Sequence, residues 1–449
     1  MLRRRPRLLV PGRRFCALTR RKKAYESNSC LKVTILQPGP TATLHGYMTV
    51  SNEAERTPLM HNDTDTVARA PEHAPINWVT TILFTALPLA AVTVVPWYGF
   101  THGFSLAAWL LALVSLWACG IAITAGYHRL WAHRAYSAHW SVRTFLMLFG
   151  AMALQNSILV WGSQHRTHHR FVDDWDKDPY SAKRGFWFSH MGWILRDYPS
   201  GRNDFSNARD LERDPIVMFQ HRFYIPLTIF MNVAVPLLAG WAVGDVWGVF
   251  LLAGILRLVI NHHFTWFINS LAHLWGTQPY TDENTARDNP VLAFLTYGEG
   301  YHNFHHIFQN DYRNGVKWWQ YDPTKWLIAG LSYVGLANNL KRVPDLWIQR
   351  SQVAMQFKRV ERALEARRNR TGDEHVERLK ARVAEEYAAF RKSVEEWGKV
   401  RDQWVADRKQ RLLQRWEETS FRLQLQQIEQ GLRIQRRRLR AMSKASLAA

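Results

Sequence analysis

Four stretches of this chain are long and apolar enough to cross a bilayer, and they decide most of what it can fold into. They cover about residues 77–99, 105–127, 223–243 and 247–270. Each is close to the ~20 residues a helix needs to traverse an apolar layer ~30 Å thick. Inside that layer the backbone must satisfy its own polar groups, so each stretch is expected to be a helix. The fold class expected is therefore all-α: four transmembrane helices with the remaining helices gathered outside the membrane.

The charges orient the spans. The chain carries 58 Lys and Arg against 37 Asp and Glu, a net +21. Such a surplus suits a nucleic-acid binder, but no nucleic-acid motif is present and the basic residues flank the spans. The turn between spans one and two (GFTHGF) and that between spans three and four (VGDVWG) hold no Lys or Arg, whereas the segment between spans two and three holds thirteen. By the positive-inside rule that segment and both termini are expected in the cytoplasm. The three cysteines, Cys16, Cys30 and Cys119, are an odd number without a CxxC pair, as expected in a reducing compartment.

Three regions follow. Residues 1–70 are basic; within them, 1–47 hold eleven Lys and Arg and one acid, Glu26, and read as a targeting arm or as sequence upstream of a start at Met48. Residues 71–345 form the membrane domain. Within it the apolar stretch 142–162, interrupted by Gln155 and Asn156, is expected to be a helix lying at the membrane face or covering a site. Residues 351–449 are a charged helical extension. Its apolar positions recur three or four apart (Val353, Phe357, Val360, Leu364; then Val383, Tyr387, Phe390, Val394, Trp397), which predicts amphipathic helices in a coiled coil or hairpin. Self-association, partner binding and a plain structural role all fit that pattern.

Histidine is concentrated in three boxes: HRLWAH at 128–133, HRTHH at 165–169 and HNFHH at 302–306. The spacing i, i+3, i+4 puts His165, His168 and His169 on one helical face, and likewise His302, His305 and His306. His128 and His133 are five apart and share no face of a regular helix, so they converge only if the helix ends or distorts near Leu130. His273 in FINSLAH is a ninth candidate, with Asn269 one turn before it. His139, His190, His221, His262 and His263 read as ordinary surface or core histidines. All three boxes fall on the side predicted to be cytoplasmic, and nine neutral imidazoles suit two metal ions rather than one. Iron, zinc and copper all accept imidazole; redox iron with open positions accounts best for a site beside a membrane.

In this order and among four spans, ITAGYHRLWAHR, HRTHH, RGFWFSHMGW, TWFINSLAHLWG and GEGYHNFHH resemble the integral-membrane fatty acyl desaturases of the stearoyl-CoA, Δ9 type, over roughly 75–345. The resemblance implies a di-iron centre held by His128, His133, His165, His168, His169, His273, His302, His305 and His306, with Asn269 holding a metal-linked water. It implies a kinked acyl tunnel lined by Gln155, Trp161, Thr265 and Trp266, and a polar contact from Asn156 near the substrate's head. The implied reaction is O2-dependent introduction of a cis double bond into a saturated acyl chain, with acyl-CoA as the expected substrate. A lipid-linked chain is the alternative, because Ser163-Gln164 and Asp197-Tyr198 stand where animal members carry head-group charges. Lys183 and Arg184 remain to meet a phosphate. Arg166 and Arg170 are expected at the surface, and Arg257, inside the fourth span, is expected to snorkel or to join the head-group site. Leu116 and Gly120 are expected to set the tunnel's depth. A membrane di-iron hydroxylase and a non-catalytic metal-binding scaffold are the rival readings. With no dinucleotide fingerprint, haem-binding stretch or cysteine set, electrons are expected from a separate acidic carrier, cytochrome b5-like or ferredoxin-like, served by a reductase.

Overall fold

The computed structural model describes residues 74–371, 374–409 and 415–448. The basic segment 1–70, with Cys16 and Cys30, lies outside the described residues.

Four helices are long and apolar enough to span a membrane: α1 (Trp78–Thr101), α2 (Leu106–Ala132), a third at Tyr224–Val243 and a fourth at Val246–Leu274. The polar cap between the second and third includes α3 (Trp140–Met152) and α4 (Ile158–Phe171); the third and fourth spans are α5 and α6. Beyond them come α7 (His302–Ile307), α8 (Pro323–Tyr333), α9 (Asp345–Thr371), α10 (Glu374–Lys409) and α11 (Arg415–Ala448). Strand is confined, among the described residues, to a two-residue antiparallel ladder, Ser137–Ala138 with Ala337–Asn338, and to isolated bridges. Val79, Val92 and Phe100 of α1 are mostly exposed, as a lipid-facing helix requires. The two turns without Lys or Arg are tied together: Asp245 accepts from Ser105 N at 3.0 Å and from Gly248 N at 2.8 Å.

The stretch 142–162 is two helices rather than one. Leu154 and Asn156 take φ of +53° and +72°, which a helix cannot contain, and Ser157 caps the start of α4. The break turns α4 and its histidines away from the direction of α3. Arg257 neither snorkels nor joins a head-group site. It is buried, donating to Met152 O at 2.8 Å, Ala253 O at 2.8 Å and Asn232 Oδ1 at 2.9 Å, and so ties α6 to α3 and α5. Gly120 is a close-packing position: a Cβ there would lie 2.1 Å from the Tyr297 ring, whose hydroxyl donates to Leu116 O at 3.2 Å.

The C-terminal amphipathic stripes are buried against one another in three helices, not a hairpin. Val353, Phe390, Val394 and Trp397 pack with Leu432 and Leu439 of α11, and the Phe357 and Tyr387 rings stack at 4.1 Å.

Replacing Arg257 by Met leaves Asn232 Oδ1 and Met152 O without their buried donor. The expected cost is about 1–3 kcal/mol, read as a lower midpoint of thermal unfolding in detergent.

Candidate metal centre

The site begins with a change of helical register. Over Ala122–Ala132 the end of α2 is a π-helix, and His133 N donates to His128 O at 3.0 Å. A π-turn closes i to i+5 rather than i to i+4, so residues five apart stack on one side. The His128 and His133 rings accordingly sit 4.7 Å apart. The distortion that the spacing requires is present.

Helices α2, α4, α6 and α7 then bring the eight box histidines and His273 together in two groups. His128, His133, His165, His169 and His305 form one; His168, His273, His302 and His306 form the other. Within each group one ligating atom per residue lies within 4.8 Å of all the rest. The closest approaches are between Nε2 atoms: 2.8 Å for His133 and His165, 2.9 Å for His128 and His305, 3.1 Å for His273 and His302. His139, His190, His221, His262 and His263 belong to neither group. His139 caps α3, His221 meets Ser157, His262 points at the carbonyls of Ala153 and Leu154, and His190 pairs with His263.

The outward nitrogens explain why the inward ones converge. His128 Nδ1 lies 2.8 Å from Glu299 Oε2, and His168 Nδ1 lies 2.8 Å from Asp178 Oδ1. A carboxylate only accepts, so His168 Nδ1, hydrogen-bonded to Asp178, carries hydrogen. Thr285 Oγ1 donates to Asp173 Oδ1 at 2.6 Å and therefore accepts from His273 Nδ1 at 2.8 Å. With hydrogen on Nδ1, the uncharged form of the His168 or His273 ring presents Nε2 as a lone pair aimed at other rings. Burial, reinforced by neighbouring imidazoles, pushes His133, His165, His169, His302, His305 and His306 well below the ordinary histidine value. Uncharged lone pairs facing one another in a buried space are what a cation requires, so the donor set fits bound metal.

Glu299, Asp178, Asp173 and Thr285 are supports that the sequence did not single out. Nothing in their local spacing marks them, although Glu299 lies in the GEGYHNFHH motif. Burial disfavours the charge on Glu299, but His128 and Arg129 outweigh it and hold the carboxyl at about 2. Arg166 is no free surface charge either. It grips Asp210 through both oxygens, at 2.6 and 2.9 Å, and donates to the carbonyls of Trp131, Ala132 and Asn207, which clamps α4 to the end of α2.

A cavity of about 250 Å³ runs from the centre in among the spans. Its walls include Leu83 and Phe84 of α1, Ile123 of α2 and the aromatic rings of Trp161 and Trp266; His128, His165, His302 and Asn269 line it as well. Gln155, Asn156 and Thr265 also line it, and Gln155 Nε2 donates to Thr265 Oγ1 at 2.8 Å. Gly120 and Leu116 do not. A second, more polar cavity of about 640 Å³ shares Thr80, Asn156, Gln164, Trp193 and Ile194 with the first and adds Arg196, Asp197, Arg202 and Asn203. Arg184 is packed over the rings of Phe188 and Tyr198, at 3.7 and 4.4 Å.

Asp178→Asn frees His168 to turn and is expected to weaken metal retention roughly 10–100-fold, measured by competition with a chelator. The six depressed histidines also make the metal-free protein acid-sensitive. Their folded values lie below the unfolded value of ~6.5, so their stabilisation is complete above that pH and falls as the medium is acidified through and below it. Thermal midpoints of metal-free protein should hold near neutrality and drop steadily toward pH ~5.

Comparison with known proteins agrees with this architecture. The fatty acid desaturase family profile matches residues 105–337, more than half of the chain. A "Probable acyl-CoA desaturase" of Schizosaccharomyces pombe is 45% identical over 289 residues, covering 64% of this chain and 59% of the relative. "Acyl-CoA desaturase 1" of Saccharomyces cerevisiae is 41% identical over 292 residues, covering 64% and 56%. "Stearoyl-CoA desaturase 5" of Bos taurus is 36% identical over 311 residues, covering 66% and 84%. The chain thus spans less than two thirds of the first two relatives' length, and its four apolar helices and its relatives mark an integral membrane protein. It belongs to the fatty acid desaturase family.

Proposed function

We propose that this protein is an O2-dependent fatty acyl desaturase that introduces a cis double bond, at the Δ9 position, into a saturated chain carried as acyl-CoA. The observation that carries the reading is the meeting of nine imidazoles, most of them buried, beside an apolar cavity that His128, His165 and His302 help to line. The relatives' names, acyl-CoA desaturase and stearoyl-CoA desaturase, support the substrate class.

Two irons are the proposed cofactor, one in each histidine group, with Asn269 supporting a bound water. When bound, such a pair supplies the oxygen activation that removal of hydrogen from an unactivated methylene requires. The balance is one saturated chain, O2, two electrons and two protons giving one double bond and two waters. The chain's own residues do the rest. The walls formed by Leu83, Phe84, Ile123, Trp161 and Trp266 take up the acyl chain and exclude water. The Gln155–Thr265 hydrogen bond crosses between the α3–α4 connection and α6 and fixes a bend, so that two adjacent carbons are presented at one depth. Asn156 lies where the apolar and polar cavities meet, the place for the thioester end. The polar cavity, with Arg196 and Arg202, takes the carrier.

The positive-inside distribution supports a cytoplasmic position for the centre and both termini. Electrons come from a separate small acidic protein, steered by the basic surface. Expression in a host without Δ9 activity tests the reading. Product lipids are expected two mass units lighter, with the double bond at carbon nine, and His302→Ala is expected to abolish them. A gain of sixteen mass units would mean hydroxylation, and unchanged lipids from folded, metal-loaded protein would overturn the assignment.

A further inference from the structure

The loop at 278–286 is held from two sides. On its inner side Asn303, fully buried between His302 and Phe304, spends its whole amide on the loop. It accepts from Tyr280 N at 2.9 Å and Thr281 N at 3.3 Å, and donates to the carbonyls of Thr281 and Ala286, each at 2.9 Å. Thr285, in the same loop, meets His273 Nδ1 at 2.8 Å, and its backbone N–H and hydroxyl both donate to Asp173. The loop therefore touches His273 directly and borders His302 through Asn303.

On its outer side the loop meets the C-terminal extension. Lys358 and Arg362, one turn apart on α9, each reach one oxygen of Asp282 at 2.6 Å, and Arg359 donates to Gln278 O at 2.6 Å. The first turn of α9 packs behind α7: Ile348 and Trp347 join Tyr280, Phe304 and Phe308 in one apolar cluster. Phe304 lies between His302 and His305 in sequence, so the helix that carries three ligands rests directly on α9.

We propose that the C-terminal helical unit is a brace for the four-histidine site, and that Asp282 is a positioning residue through which α9 holds the loop that orients His273 and His302. The inference rests on the metal-centre reading. Lys358 and Arg362 reach the mostly buried Asp282 from the exposed side of α9, and pairs made from the solvent side add little to global stability. The effect of the grip is local: it selects one loop position among those the chain could take. The five-histidine group takes only His305 from α7, and the hydrogen bonds of His305 run to His128 and His169 rather than to the loop.

The experiment uses full-length protein in detergent, with three readouts: iron per chain, the Mössbauer spectrum, and amide exchange of residues 279–286. The variants are Asp282→Lys, the double change Lys358→Ala/Arg362→Ala, and the swap Asp282→Lys/Lys358→Asp/Arg362→Asp. The first two are expected to leave the thermal midpoint nearly unchanged, to raise loop exchange about tenfold and to take iron from two per chain toward one. The swap is expected to restore both. The double change alters only exposed side chains of α9, so it gives an answer even where Asp282→Lys fails to fold. Wild-type iron content, spectrum and exchange in the double variant would overturn the brace. A wild-type protein that binds no stoichiometric iron would instead sink the metal reading, and loop exchange would still decide the brace.

Discussion

Nine imidazoles turned inward crowd their ring nitrogens together, and the surroundings of the centre act to hold them there. The restraint comes from outside the cage. Glu299 fixes His128 and is itself held by Arg129 and by Asn314 Nδ2 at 2.6 Å. Arg129 is shared with Asp322, which also receives the backbone N–H groups of Asn314, Gly315 and Lys325. Asp178 fixes His168 and receives Asp173 N and Tyr180 N. Buried charge is tolerable when every oxygen is used in this way, and costly when one partner is removed. The placement of His128, His168 and, through Thr285, His273 is thus set by carboxylates that stand behind the rings.

The membrane boundary supplies the second constraint. A site that handles both an apolar chain and a polar head must sit where the two media meet. Under the proposed function the π-turn at the end of α2 serves that meeting: one helix delivers Ile123 to the cavity wall and, further on, His128 and His133 to the centre. Arg166 then locks α4 against the same turn through the carbonyls of Trp131 and Ala132, which the irregular register leaves available. An arginine beside the histidines looks out of place in a cation site until its direction is known; it points along the backbone, away from the rings.

What the sequence made legible is what depends on periodicity and length. The spans could be read because ~20 consecutive apolar residues suit little except a bilayer crossing, and the ligands because boxes with i, i+3, i+4 spacing converge on any helix. Even the distortion between His128 and His133 could be stated as a requirement. What could not be read depends on partners far apart in the chain. Glu299, Asp178, Asp173 and Thr285 become supports only when four helices meet. Arg257 reads from sequence as a snorkelling or head-group residue because Asn232 and the end of α3 are distant in the chain. The 142–162 stretch looked continuous because a left-handed Leu154 has no compositional signature. The extension's stripes were visible, but the third helix that covers them was not.

The same distinction bears on how a substrate is selected. Ser163-Gln164 and Asp197-Tyr198 stand where the sequence resemblance implies head-group charges, and the structure shows those positions engaged internally. Gln164 donates to Gly201 O and Asn203 Oδ1, Asp197 accepts from Asn77, and Tyr198 lies under the Arg184 guanidinium. Under the proposed function, a head group entering the polar cavity meets fewer free cations there. The acyl chain then has to supply the larger share of binding, at about 0.8 kcal/mol per methylene buried. That term grows with chain length and is indifferent to the carrier. Selectivity then resides in the depth and bend of the apolar cavity, where Gln155 and Thr265 are fixed to each other, and the polar vestibule serves mainly to orient the thioester.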